Sequence, residues 1–490
     1  MLDLLKSSAL VLVLSVGGAL AAQDTITLGM VLEPPNLDPT SGAAAAVDEV
    51  VYANLFEGLT RVGPDGAILP ALATRWDVQE DGRVYVFHLA EGVKFHDGAD
   101  FDASDVVFTL DRARAADSTN AQKVLFEGIE SVEAVDPLTV RVTLSQPDGN
   151  FPFKMSWGDA VMVDPASVDQ IATNPVGTGP FRLAEWRQGD RVVLTAFDGY
   201  WGEKPALREA TFRFISDPTA AYAALMAGDV DAFPNYPAPE TLPQIEADPR
   251  FQVIVGTTEG ETILAMNNAR APLGNVQVRK AIAHAINRQE LIDGAMFGRG
   301  TPIGSHFAPH HPDYVDLTDR SAYDPDQSRA LLAEAGVENL RLRLALPPPT
   351  YARRGGEILA AQLRAVGIET EITNMEWAQW LETVFKGGDF DLTIVAHTEP
   401  MDIDVYARED YYFRYARPEF VALMHQLSQT VDADQRSALL RQAQEMIADD
   451  YVNAFLFQLG KTAVADARIE GLWANSPNQS NDLTAVRWTE

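Results

Sequence analysis

From Leu340 to Ala396 the chain alternates strand and helix patterns across short connections, an order that few folds accept. Leu340 to Leu346 reads as a strand, Glu357 to Val366 as a helix, and Ile368 to Ile372 as a second strand. Trp377, Trp380, Leu381 and Val384 then line one helix face before Gly387-Gly388, and Leu392 to Ala396 is the third strand. Strands linked this way lie parallel and adjacent, because a helix must carry the chain back in a right-handed crossover. In such sheets ligands bind beyond the carboxyl ends of the strands. Three loops are thereby nominated: Pro347 to Tyr351, Asn374 to Glu376, and His397 to Asp404.

The chain before this stretch is patterned differently. Thr25 to Met30 alternates like a strand and is broken by the loop Glu33-Pro34-Pro35-Asn36-Leu37-Asp38-Pro39. Hairpins follow: Trp76 to Val78 with Arg83 to Leu89 about Glu80-Asp81-Gly82, and Ile129 to Ala134 with Thr139 to Leu144 about Asp136-Pro137. Between them Asp102 and Asp105 open a helix with Val106, Val107 and Leu110 on one face. A third hairpin joins Phe181 to Trp186 with Arg191 to Ala196, and a helix around Ala220 to Ala227 stops at Gly228. Val278, Ala281, Ile282 and Ala285 have amphipathic helical spacing, and Asp324, Pro325 and Gly336 delimit another helix.

At the amino terminus Lys6 precedes an apolar run of about 14 residues, shorter than the ~20 a spanning helix needs, and small residues follow to Ala21-Ala22. This pattern predicts a signal peptide over residues 1–22, cleaved near Ala21 or Ala22, and a mature protein that does not span the membrane. The chain contains no cysteine, which excludes disulfides, thiolate metal sites, cysteine nucleophiles and a lipid-anchored cysteine. An exported, unanchored protein is expected in the periplasm. A formal net charge of −32 argues against nucleic acid as a partner.

Sequence patterns of hydrolases and nucleotide-binding enzymes are missing: there is no G-x-S-x-G, H-E-x-x-H, P-loop or dinucleotide fingerprint. No catalytic residue, cofactor or metal site is expected. His310 and His311 are adjacent and diverge on regular elements, so with Asp313 they make a poor chelate. His96 in Phe95-His96-Asp97-Gly98 reads as part of a turn. The loop His397-Thr398-Glu399-Pro400-Met401-Asp402-Ile403-Asp404 is richer, with three carboxylates and an imidazole beyond a parallel strand. Burial would make each charge costly without a partner, either an amine-bearing ligand or an arginine such as Arg408. Tyr406, Tyr411, Tyr412, Phe413 and Tyr415 follow, most of them as core.

Several separated blocks carry a resemblance. Ala73-Thr74-Arg75-Trp76, Asp81-Gly82, Gly92-Val93-Lys94-Phe95-His96-Asp97-Gly98 and Ala103-Ser104-Asp105-Val106-Val107-Phe108 come first. Val176 to Phe181, Tyr200-Trp201, Gly228-Asp229-Val230-Asp231, Val278 to Ile282, Tyr323-Asp324-Pro325, Leu331 to Gly336 and Glu376-Trp377 follow in order. Together they resemble family 5 of the extracellular solute-binding proteins, which serve dipeptide, oligopeptide and nickel importers. The resemblance implies an α/β, two-lobed periplasmic-binding-protein fold of cluster C type with an extra α+β subdomain in the first lobe. The first lobe would comprise 23–60, 170–264 and 464–490, its subdomain 61–169, and the second lobe 265–463. Chain crossings are expected near Leu264 to Asn267 and Phe455 to Gln458.

The implied function is a periplasmic receptor, most simply a monomer, that closes on a peptide or peptide-sized solute and delivers it to the permease and ATPase of an ABC importer. Oligosaccharides, opine-like conjugates and metal chelates are alternative cargoes. An exported peptide-processing enzyme or chaperone, or the ligand-responsive partner of a histidine kinase, are rival roles. Expected ligand contacts are Glu33, Asn36, Tyr351, Trp377, His397, Thr398, Glu399, Asp402, Asp404 and Arg408. In peptide-binding relatives an Asp beyond the third strand anchors the free amine; counting from the strand end, Pro400 occupies that position and His397 that of the aromatic opening the loop. Glu399, Asp402 or Asp404 would then take over the anchoring.

Overall fold

The computed structural model describes residues 23–41, 44–399 and 401–489, so the expected signal peptide and Pro400 lie outside the described residues. One sheet of eleven strands runs through the molecule. Its outer end is the parallel set: Ile368–Asn374, then Leu340–Leu346, then Leu392–His397. The strand order therefore reverses at Leu340–Leu346, which has one crossover on each side, and the crevice at such a reversal opens between the loops after Leu346 and His397.

Next come two long antiparallel strands, Phe251–Met266 and Asn453–Asp466, the first paired with Leu392–His397 and the second with Ala232–Phe233. Their pairing register shifts between Thr257 and Glu261 and again between Thr262 and Ile263. Beyond them the sheet continues through Ala232–Phe233, Thr25–Met30, Glu209–Phe214, Arg191–Ala196 and Phe181–Arg187. A separate antiparallel sheet orders Ala73–Gln79, Val84–Leu89, Thr139–Leu144 and Ile129–Asp136, so both expected hairpins form. Helix Ala103–Arg114 packs on it, held at its start by a reciprocal Asp102/Asp105 capping box.

Helix Pro325–Glu334 begins where its signals place it: Asp324 accepts the Gln327 N–H at 2.9 Å. Two expectations need correction. The helix read as Glu357 to Val366 spans Thr350–Ala365, its first turns supplied by residues with little apolar spacing. Trp377 and Leu381 do not share a buried face with Trp380 and Val384. The first pair is 42% exposed at each position, whereas Trp380 and Val384 are buried. Two i,i+4 pairs make two adjoining stripes, and a wider π-type turn over Leu381–Lys386 displaces the second half of the face.

The second lobe has an apolar core on each side of its sheet: Ile282, Leu291, Leu344 and Leu359 on one, and Val395, Tyr406, Phe413 and Ile447 on the other. Covering both faces leaves the strand ends and their loops as the natural place for a ligand. No helix among the described residues is long and apolar enough to cross a membrane.

Candidate functional site

Strand Leu392–His397 ends beside the crossing strand, with His397 opposite Glu261. The His397 ring lies over buried Tyr412, centroids 6.0 Å apart and planes 19° from parallel, and its Nε2 is 2.9 Å from the Tyr412 hydroxyl. One ring nitrogen is thereby engaged and the ring is fixed. Tyr351, at the start of its helix, accepts the Ala396 N–H through its hydroxyl at 3.2 Å, tying the loop after Leu346 to the end of the third strand. His397, Glu399 and Asp402 place one donor atom each within 4.8 Å of one another, the one such His and carboxylate set among the described residues.

Beneath this set is a residue that carries no sequence signal. His306 is 5% exposed and stands between two carboxylates, with Nδ1 2.8 Å from Glu261 Oε2 and Nε2 2.9 Å from Asp402 Oδ1. The Nδ1 contact lies off the hydrogen-bonding line, so it joins charges more than it directs a bond. Burial would strip the proton from this imidazole, but Glu261 and Asp402 reverse that and push its pKa up to about 10. Burial would likewise raise Asp402, yet the His306 contact holds it below its usual value. Burial wins at Glu261, whose pKa is raised and whose Oε1 has no partner. The two shifts run the same way: a proton is favoured on His306 and disfavoured on Asp402.

The other loop carboxylates differ. Asp404 is exposed and paired with Arg408 at 2.9 Å, so the expected burial cost does not fall on it. Glu399 is exposed and accepts only the neighbouring Thr398 N–H, at 3.2 Å. Most of the aromatics that follow are core, as expected: Tyr406, Tyr412, Phe413 and Tyr415 are buried, while Tyr411 is partly buried against them.

The remaining sequence candidates stand apart. Trp377 is exposed and meets Trp380 edge to face. Glu33 accepts the Gly189 N–H at 2.9 and 3.0 Å, and Asn36 accepts the Asp38 N–H, both contacts lying within the first lobe. His310 turns to Thr257 and Glu259, at 2.6 and 2.8 Å, while His311 stacks on Phe307. Their divergence is the one expected of neighbours in sequence. His96 is held through both ring nitrogens by Gly177 and Gly179, and burial pulls its pKa down to about 4, so it is a neutral structural link.

The sequence profile of the bacterial extracellular solute-binding proteins, family 5 Middle, matches residues 67–416. The dipeptide-binding protein of Escherichia coli K12 is 29% identical over 426 residues, covering 78% of this chain and 79% of that protein. The glutathione-binding protein GsiB of Pectobacterium atrosepticum is 33% identical over 352 residues, or 70% of this chain and 68% of that protein. Among solved structures, HbpA2 from Haemophilus parasuis superposes with a TM-score of 0.87 at 24% identity, covering 95% of this chain and all of the other.

Proposed function

This chain belongs to family 5 of the bacterial extracellular solute-binding proteins, and on that premise we propose that it captures an amine-bearing, peptide-sized solute between its lobes. Family members bind small ligands or peptides and work with an ABC permease and ATPase. Here the closed, loaded form would be the one presented to the permease, by a single copy of the chain and with no nucleic acid involved.

The observation that carries the reading is how the loop's charges are matched. Asp402 is matched by His306 and Asp404 by Arg408, which leaves Glu399 as the loop carboxylate without a cationic partner among the described residues. A ligand ammonium supplies that partner through a charge-assisted hydrogen bond. Names of two relatives, one for dipeptides and one for glutathione, agree with a cargo of this size and chemistry. The lobes, with the boundaries expected from the sequence, would pivot where the crossing strands shift register, Thr257 to Ile263 opposite Phe455 to Gly460.

The cargo leaves unaltered on this reading, since no nucleophile and base are assembled in the loop. Export would remove residues 1–22 and release the mature chain into the periplasm. The test is a thermal-shift screen of the mature protein with short peptides and their amine-acetylated forms. Binding at about 100 times the dissociation constant adds about 2.7 kcal/mol, an easily read shift. Free-amine peptides should raise the melting temperature and acetylated ones should not. Equal shifts from both forms, or shifts from oligosaccharides alone, overturn the amine reading.

A further inference from the structure

We propose that His306 is a positioning residue that ties the ligand loop to the crossing strand Phe251–Met266, so that seating a ligand in the loop acts directly on the strand about which the lobes pivot. The inference rests on the functional reading above for the ligand's place at Glu399 and adds how its arrival reaches the pivot. The tie joins three separate parts of the chain. Asp402 belongs to the loop that also carries Glu399, His306 to the segment after Gly300–Pro302, and Glu261 to the crossing strand. Nδ1 and Nε2 of one ring lie 2.8 Å from Glu261 and 2.9 Å from Asp402. Only an imidazolium carries an N–H on both nitrogens, whereas a neutral ring would turn a lone pair on one of the carboxylates.

The ring is held in this position. Tyr406 stands edge to face with it, centroids 5.4 Å apart, and the Phe307 ring lies 5.2 Å away. Gly300–Pro302 pairs with the second crossing strand, and Ile303, Ser305 and Phe307 are buried, so the imidazole stands on a fixed segment. Tyr406 in turn accepts a hydrogen bond from Asn453 of the second crossing strand at 3.1 Å. Glu261 occupies the place where the pairing of the two crossing strands is interrupted on either side, between Thr257 and Glu261 and between Thr262 and Ile263. Strands bend at such irregularities. The loop is thereby fastened where the strand yields most easily, and a ligand ammonium at Glu399 loads both.

The experiment is hydrogen exchange, read by mass spectrometry, on the mature protein with and without trialanine as the free-amine probe. His306→Gln keeps one donor and removes the cation. Asp402→Asn leaves the His306–Glu261 pair in place and is the gentler cut. Without ligand, residues 401–406 should exchange about tenfold faster in His306→Gln, the scale of one lost hydrogen bond to a charged group. They should also exchange faster in Asp402→Asn, while strand Leu340–Leu346 is unchanged in both. With trialanine, the wild type should gain protection in residues 401–406 and 257–263, and the variants in 401–406 alone. Unchanged loop exchange in both variants, or an equal rise in Leu340–Leu346, overturns the tie. So does trialanine protection that reaches 257–263 in the variants as it does in the wild type. Failure of trialanine and the screened peptides to protect the wild type defeats the amine-cargo reading alone, and the ligand-free exchange still decides the tie.

Discussion

The two lobes bury carboxylates in opposite ways. In the first lobe Asp48 and Asp159 are buried among acidic neighbours: burial, then Asp159, pushes Asp48 up to about 8, and burial, with a smaller push from Asp38, takes Asp159 up to about 7. Each has an oxygen without a hydrogen-bond partner, and Gly158 leaves no room beside Asp48, where an added Cβ would come within 2.5 Å of the carboxylate. Where the second lobe meets the crossing strand, Asp402 of that lobe and Glu261 of the strand enclose His306. A buried carboxyl can be made tolerable by a proton from solvent or by a fixed cation. The first choice removes the charge and makes the region structural. The second keeps the charge in place, close to where a cationic ligand would arrive.

The contrast can be broken most forcefully at His306. Its replacement by Leu leaves two carboxylates without their cation, and breaking a buried pair costs about 3–5 kcal/mol. Urea unfolding should show a loss of that size. A loss below about 1 kcal/mol would mean that His306 carries no charge in the folded protein, and the two clusters would then be alike.

In the first lobe the opposite sign is expected. Because the folded-state pKa of Asp48 is raised, the folded protein keeps a proton that the unfolded chain releases above about pH 4. Stability contributed by that proton is complete at lower pH and is lost as pH rises through about 8. A tenfold difference in proton affinity between the folded and unfolded chain is worth about 1.4 kcal/mol, and relaxation around the buried carboxylate absorbs part of the total. Asp48→Asn should therefore stabilise the protein at pH 8, by about 2 kcal/mol on that scale, and should flatten the fall in melting temperature between pH 5 and 8. The same melting profile in wild type and variant would show that this carboxyl is already ionised and compensated.

The smallest expected effect sharpens the comparison at the ligand itself. Glu399→Gln should weaken the best free-amine peptide about tenfold, or about 1.4 kcal/mol, within the range of a hydrogen bond to a charged group. Asp404→Asn, at the exposed ion pair, should change affinity by far less, since such pairs contribute about 0–1 kcal/mol. Isothermal titration of both variants decides it. Equal losses would place the amine between the two carboxylates and end the distinction drawn from Arg408.

Much of the architecture is legible in the chain itself. The turn Glu80-Asp81-Gly82, the cap at Asp324 and the parallel-strand pattern from Leu340 are local devices, and each forms as read. The candidate site is legible only in part. Its loop follows from the rule for parallel strands, and His397, Glu399 and Asp402 meet there. Trp377 departs from its expected place because helical spacing alone cannot tell a buried stripe from its neighbour. Glu33 and Asn36 lie in a loop as expected, but their side chains serve backbone N–H groups nearby.

The sequence by itself determined which segments become strands and helices, how the parallel unit is connected, and which loop collects acidic residues, because turn chemistry, capping and periodicity act over a few residues. Only the tertiary structure decided which carboxylates are matched and which is left open. Glu261, His306 and Asp402 come together through a crossing strand, a connecting segment and a loop far apart in the chain. Their charges are set by burial and mutual distance, and no local pattern encodes either.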